Sequence, residues 1–551
     1  MRNIIKIRSI MQPFSNQNER IQGLFVVKVL MTVMHICQPM LWGTLIEYLA
    51  NGIYGEVNKI LALICIVYCL IAGLSFLEGI MRVRIHTTIS ANIKSVLFKK
   101  ILHFPMKEFD SMDNGEFIYR VEGDADEASD FFCNQELEVL IHAAKSIILV
   151  IIVLNISWVF ALVTLLGFLF STVALSSISK KIKIATVKKK KTVDAYYSFI
   201  DETFHCFKDI KLFDLSRLRC EMYDNLMSRS KKAEVMIGKW SAISESMIII
   251  IDFLMQASIY VVGIILIMKN RLTLSLFIAV AAYSNMLSDS LLTLTQLIPT
   301  IQSTIVSVER IIKSLEKDEE IRGEELPEKI KTIRFDNVSF MYSNTQNVLE
   351  NVNILINDCG IIGIKGGNGA GKTTIFNLIA GLYDDYTGRI LLNERSMLDF
   401  SNESLHKRIG MIDQEPTLFH DTLRENLRLW DEAINDEIIL SVCEKVKLID
   451  FIHSLPAGLD YVIQENGNNI SIGEKKRIAI ARALIRDNDV ILLDEVTSSL
   501  DEESRMIVIE TLKSLMDEKI LLLATHNYDD YRISNYMYEL KNKRIAKIDT
   551  C

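Results

Sequence analysis

The stretch IIGIKGGNGAGKTTIFNLIAGL, residues 361–382, decides how the rest of this chain is read. An apolar run leads into Gly366, four residues separate that glycine from Gly371, and Lys372 and Thr373 open an amphipathic helix. This is a phosphate-binding loop in its strand–loop–helix setting, and it marks Gly366, Gly367, Asn368, Gly369, Ala370, Gly371, Lys372, Thr373 and Thr374 as an ATP-binding segment. The glycines let the backbone wrap around phosphates, and amides at the helix N-terminus donate to them. Lys372 reaches the outer phosphates, and Thr373 is placed to ligate Mg²⁺.

Downstream, VILLDEVTSSLD (490–501) reads as a buried strand ending in two adjacent carboxylates, Asp494 and Glu495. Phosphoryl transfer depends mainly on positioning and charge neutralisation, which suggests a division of labour: Asp494 holds Mg²⁺ through water and Glu495 polarises the attacking water. From residue 330 to 551 strands and helices alternate, so this part is expected to be an α/β P-loop NTPase domain.

The sequence before about residue 300 has another character. Half of the 551 residues are hydrophobic, and the apolar excess lies in six stretches of the length a bilayer core requires: roughly 22–46, 57–80, 137–156, 158–179, 244–268 and 273–298. An all-α membrane domain of six spanning helices is expected over 21–315, behind a cytoplasmic lead-in at 1–20. Its connections alternate between short ones, placed outside, and long charged ones at 81–136 and 180–243, placed in the cytoplasm. The long loops keep helical periodicity, so the spans are expected to continue as helices beyond the lipid. IQSTIVSVERIIKSLEKDEEIRGEELPEKI (301–330) then runs from a helix into a charged linker at 316–329, closed by Pro327.

Charge and cysteine usage exclude other classes. With 61 Lys and Arg against 69 Asp and Glu, the net charge is −8 and gives no nucleic-acid footprint. The basic run KKIKIATVKKKK (180–191) follows an apolar span, where Lys excess marks the cytoplasmic side. Nine cysteines without a CxxC pair indicate neither a disulfide framework nor a zinc site. The chain is also rich in Ile, Lys and Asn, which points to a bacterial cytoplasmic membrane.

With these motifs in order, residues 330–546 resemble the nucleotide-binding domain of ATP-binding cassette (ABC) transporters, and the whole chain resembles a half-transporter of their exporter class. The resemblance implies a role for each matching residue. Tyr342 in VSFMY matches the aromatic that stacks on adenine, and Gln414 in MIDQEPTLF matches the glutamine that senses Mg²⁺ and faces the membrane domain. Glu465 and Gly467 in IQENGNNIS resemble the exporter-type segment that touches the long loops. Asp501 matches the D-loop, and His526 in LLLATHN matches the switch histidine of the γ-phosphate.

The signature departs from the family pattern LSGGQ: the chain reads Ile470, Ser471, Ile472, Gly473, Glu474. In the family this segment caps the ATP bound to the opposite subunit, so Ser471, Gly473 and Glu474 are expected to face a partner's nucleotide. Ile472 restricts the backbone where glycine is usual, and Glu474 adds negative charge near a triphosphate. Slow turnover opposite this signature is therefore expected. A second half-transporter subunit is implied, either an identical chain or a different one.

The segment FPMKEFDSMDNGEFIYRVEGDADEASDFF (104–132) and DETFHCFKDIKLFDL (201–215) resemble the family's coupling regions, and residues near 109–115 and 204–212 are expected to dock on the nucleotide-binding domains. Polar residues inside the spans are candidates for the cargo path: His35 and Gln38, Glu78 and Arg82, Lys145, Glu245, Asp252 and Gln256, and Asn285, Asp289, Thr293 and Gln296. The last two groups form stripes at helical spacing. Asp252 and Asp289 favour a cationic or polar cargo such as a peptide. The expected function is ATP-driven export of an amphiphilic, peptide, drug-like or lipid cargo across the lipid bilayer, with ATP and Mg²⁺ as cofactors. The alternative is a nucleotide-gated channel or regulatory sensor on the same scaffold, separated from a pump by directional, hydrolysis-dependent flux.

Overall fold

An apolar segment in lipid has no water for its backbone and must close its own hydrogen bonds, so the first half of the chain is helical. The computed structural model describes residues 18–110, 112, 114–269, 271–317, 323–342, 347–498 and 500–548. The expected lead-in lies, through residue 17, outside the described residues, as do positions 318–322 of the linker. The helices are α1 Asn18–Ala50, α2 Tyr54–Leu102, α3 Met106–Asp110, α4 Asn114–Tyr119, α5 Ala125–Asp130, α6 Glu136–Ile156, α7 Trp158–His205, α8 Phe207–Leu212, α9 Ser216–Met268 and α10 Leu274–Leu315.

Among the described residues, five helices are long and apolar enough to cross a membrane; a shorter apolar stretch, Trp158–Gly167, opens α7 where the fourth span is expected. The helices α2, α7 and α9 run for 49, 48 and 53 residues. At 1.5 Å per residue each is roughly 70–80 Å long, more than twice a hydrocarbon core. Between α4 and α6 the helical run is not uniform: Arg120–Asp124 and Phe131–Gln135 widen into π turns.

Contacts divide the chain into two compact units: Met1–Leu102 with Met112–Lys317, and His103–Ser111 with Asp318–Cys551. The short helix α3 thus packs with the second unit, although it stands in the first long loop of the membrane domain. In the first unit α7 lies along α9, α1 along α2, and α10 against α6 and α1. Leu149, Val153, Phe160, Val280 and Tyr283 are buried in one of its cores, and Leu24, Ile85 and Ile311 in another. Lys28 lies 3.5 Å from Glu78 and 3.8 Å from Glu138, and Arg82 is 3.8 Å from Glu78. This ion cluster joins α1, α2 and α6: Glu78 serves interhelical pairing through Lys28, and Arg82 meets Glu78 on its own helix.

In the second unit β1 Ile333–Met341, β2 Asn347–Ile356, β4 Thr387–Leu392 and β5 Arg395–Ser396 form an antiparallel sheet in the order β2-β1-β4-β5. The larger sheet runs β10-β9-β3-β8-β7-β6 and contains β3 Gly360–Gly366, β6 Ile409–Ile412, β7 Val490–Asp494, β8 Ile520–Ala524, β9 Tyr536–Lys541 and β10 Arg544–Ile548. Its strands are parallel except for β10. Strands β7 and β8 are buried at every position, as continuous apolar runs covered on both faces should be. The helices of this unit that carry the argument are α11 Lys372–Ile379, α12 Asn402–Arg408, α13 Leu423–Arg428, α14 Asp436–Lys445, α15 Ile449–Ser454, α16 Ile472–Ile485 and α17 Glu502–Leu515.

Two polar contacts fix α3. The Tyr383 hydroxyl donates to Asp110 at 2.5 Å, and the Lys107 ammonium to Asp385 at 2.6 Å. Burial first, then the hydrogen bond and charge of Asp110, push the Tyr383 phenol above its usual range. Met106 adds an apolar contact to the core of the unit.

Removing one member of a partly buried ion cluster leaves its partners uncompensated. Lys28→Met is expected to lower stability by about 3 kcal/mol, and adding Glu78→Gln and Glu138→Gln should recover most of that loss. Unfolding midpoints of the three proteins in the same detergent test this; equal midpoints for the single and triple variants would contradict it.

Candidate active site

Parallel strands end level with one another, and loops leaving their C-terminal ends converge on one side of the sheet. Here those ends deliver the phosphate loop from β3, Asp413 and Gln414 after β6, Asp494 and Glu495 at β7, and His526 after β8. The register pairs Ile364 with Ala524 and Ala524 with Asp494.

Gly369 and Gly371 adopt φ of 71° and 108°. A Cβ at Gly371 would also stand 3.1 Å from the Leu349 side chain. This turn therefore needs glycine for conformation and for space. The Lys372 side chain folds back, donating to the carbonyls of Gly366 at 2.9 Å and Gly367 at 3.3 Å, and its ammonium is 3.4 Å from His526 Nε2. The Thr373 hydroxyl donates to Asp494 at 2.5 Å. Burial and the neighbouring Glu495 charge hold the Asp494 carboxyl above the usual range, against the bond from Thr373 and the charge of Lys372. Burial of its surroundings and the charge of Asp494 raise Asp413 as well, although its side chain reaches solvent.

Glu495 lies 2.6 Å from His526 Nε2. Its backbone is left-handed, with φ of 50°, a strained conformation for glutamate. Three groups hold it there. Its N–H donates to Ala524 O at 2.9 Å, while its carbonyl accepts from Lys476 Nζ at 3.1 Å and from the Ser498 hydroxyl at 2.6 Å. Lys476 is 1% exposed and also donates to the Ser498 carbonyl at 2.6 Å. Burial pulls its ammonium below the usual lysine range, against the charge of Glu495.

The loop carrying His526 is anchored by a fully buried carboxylate. Asp530 accepts from Thr497 at 2.5 Å, from Thr525 at 3.0 Å, and from Arg505 through two nitrogens at 2.9 and 2.7 Å. Sequence reading missed Asp413, Lys476 and Asp530. A carboxylate beside a glutamine, one lysine in a basic run and one aspartate in a loop look like solvated surface until the fold buries their surroundings.

The remaining expected residues occupy distinct places. The Tyr342 ring meets Phe340 and Tyr383 edge-on at centroid distances of 4.8 and 5.3 Å, and its hydroxyl donates to Thr374 at 3.2 Å. Gln414 is exposed. Asp501 caps α17, accepting from the Ser504 N–H at 3.3 Å. Glu465 and Gly467 form a single 3₁₀ turn. Ser471 caps α16 in a reciprocal box: its hydroxyl accepts from the Glu474 N–H at 3.3 Å, and its own N–H donates to the Glu474 carboxylate at 2.9 Å. Ile472 is 53% exposed.

Two family models match the chain: ABC transporter over residues 349–498 and ABC transporter transmembrane region over residues 23–291. A relative named ATP-dependent lipid A-core flippase, from Syntrophus aciditrophicus, is 26% identical over 88% of this chain and 81% of its own length. A serine protease/ABC transporter B family protein of Dictyostelium discoideum is 26% identical over 93% of this chain, which spans only 30% of that larger protein. A bacterial Atm1-family ABC exporter solved with ATP bound superposes with a TM-score of 0.87 at 19% identity, covering 97% of this chain and 95% of its own.

Lys476→Met should lower ATP turnover roughly 10- to 100-fold with little change in KM, because a small displacement of a reacting group has that effect. Lys476→Gln, still a donor, should recover part of it; equal turnover in all three proteins would refute a positioning role. Asp494 bears on stability with the opposite sign from a paired carboxylate. Its folded-state pKa lies above the unfolded one, so ionisation penalises the fold above the folded pKa and not below the unfolded pKa. Asp494→Asn should therefore unfold at higher temperature than the parent at pH 7, with the gap closing as the pH falls to the ordinary carboxylate range.

Proposed function

The chain belongs to the ABC transporter family, as a membrane-spanning half-transporter of its exporter class with an ATP-hydrolysing domain, and from this premise we propose how its own residues work. The observation that carries the reading is the convergence of Lys372, Thr373, Asp494, Glu495 and His526 at the ends of β3, β7 and β8. The phosphate loop cradles ATP and Tyr342 stacks on its adenine. Glu495, in contact with His526, orients the attacking water, and Lys372 and His526 face the outer phosphates.

Thr373, Asp494 and Gln414 are the residues that would hold Mg²⁺, which supplies charge neutralisation at the phosphates. They suit such a cation. The threonine hydroxyl already meets Asp494, and the mutual repulsion of Asp413 and Asp494 would be relieved by it.

The site is completed by a second subunit, whose ATP faces Ser471, Gly473 and Glu474. The Glu474 carboxylate already occupies the N-terminus of α16 through its bond to the Ser471 N–H. An incoming phosphate competes with it, which supports slow turnover opposite this signature. Coupling runs through α3, held by Asp110 and Lys107, and through α8, which with its flanks exposes Phe204, Phe207, Leu212 and Phe213. Closure of the ATPase pair then rocks the spans between inward-open and outward-open states. The cargo is amphiphilic, in line with the relatives named as lipid A-core flippases, and a bacterial cytoplasmic membrane is the proposed location.

Turnover of the purified full-length chain in lipid, after cross-linking to establish whether it pairs with itself, tests this reading. Glu495→Gln should reduce turnover at least about 100-fold while ATP binding persists. Glu474→Gln should raise turnover several-fold. ATP-gated flux that is non-directional and survives Glu495→Gln would replace the pump with a channel.

A further inference from the structure

Two adjoining cavities lie among α7, α9 and α10 in the membrane-embedded unit. One, of about 370 Å³, is lined by Ile182, Glu245, Ile248 and Thr295, among others. The second, of about 160 Å³, shares Ile248 and Thr295 with the first and adds Asp252, Met255 and Asp289. They form one cleft. Among the described residues its lining mixes eight Ile, Leu and Met side chains with Ser, Thr and Gln, and it holds three carboxylates and no Lys, Arg or His.

One of these carboxylates, Asp252, is incompletely satisfied, whereas Glu245 and Asp289 are exposed. Gln256 donates to one oxygen of Asp252 at 2.7 Å; the other oxygen is out of reach of solvent and has no hydrogen-bond partner among the described residues. Lys145 lies close enough to Asp289 to offset part of its charge. Among the described residues one lysine stands against three carboxylates, which leaves the cleft negative. An ionised carboxylate surrounded by apolar groups is costly unless a cation approaches it. The structure separates this cleft from other sequence candidates: His35, Gln38, Lys145, Gln256 and Asn285 are not among the residues lining either cavity. His35 lies 3.4 Å from Gln38 on its own helix.

We propose that this cleft binds the cargo and selects cationic amphiphiles, the positive group settling against Asp252 and Glu245 and the apolar body against the Ile248 and Met255 walls. Naming the guest a cargo rests on the export reading above; the charge selection rests on the cleft alone. A polyanion is repelled by the same lining.

Tetraphenylphosphonium and tetraphenylborate are nearly matched in shape and opposite in charge, so they isolate this selection. Equilibrium dialysis of each against the full-length chain in phosphatidylcholine nanodiscs, with empty nanodiscs subtracted, reads binding without ATP or a partner subunit. Phosphonium should bind saturably and at least about tenfold tighter than borate. Asp252→Asn and Glu245→Gln should each weaken it roughly five- to tenfold, in protein whose unfolding temperature is measured alongside. Ile248→Trp, which fills the junction and keeps every charge, should abolish phosphonium binding.

Absence of protein-dependent phosphonium binding, equal or tighter binding of borate, or affinities unmoved by all three substitutions would overturn the proposal. A chain that binds phosphonium but pumps nothing would defeat the export reading and leave the cleft intact. Pumping without phosphonium binding would defeat the cleft alone.

Discussion

Parallel pairing sets Ile364 beside Ala524 and Ala524 beside Asp494, and the chemistry of the ATPase unit depends on that register. Side chains alternate along a strand, so a slip of one residue would turn Asp494 to the other face and part Thr373 from it. A slip would also carry Asp494 into the run that β7 and β8 keep buried and apolar, where a carboxylate is costly. The buried sheet, rather than the loops, therefore sets the distances between the phosphate loop and the two carboxylates.

Around that sheet the fold keeps groups in states they would not choose in water. Glu495 is held in a left-handed conformation by hydrogen bonds with Ala524, Lys476 and Ser498, and Asp494 carries a raised pKa. Lys476 spends its charge on carbonyls behind the reacting residue. It belongs to α16, whose N-terminus is the altered signature, so one buried lysine ties that segment to the backbone of Glu495. The Asp530 cluster does the same for the His526 loop, tying it to α17 and the D-loop.

The membrane unit follows another logic, in which backbone bonding is local and specificity comes from the few polar groups between helices. Lys28 pairs with Glu78 and Glu138 across α1, α2 and α6, whereas Glu245, Asp252 and Asp289 line open space. The same residue types thus pair across helices in one place and line a cleft in another.

The difference between those two sets marks where sequence reasoning stops. Apolar runs of bilayer length, the GxxxxGKT spacing and the carboxylate pair after VILLD are local patterns, because helix formation in lipid, a phosphate-wrapping turn and a buried strand each impose their residues on consecutive positions. They were enough to identify a helical membrane domain joined to an ATPase. Glu78 and Asp252 are alike in sequence, each an acid in an apolar helix, and only tertiary packing decided that one meets Lys28 and the other faces a cleft. Lys476, Asp413 and Asp530 likewise acquire their roles from partners or neighbours far along the chain, since burial and hydrogen bonding are set by what the fold brings into contact.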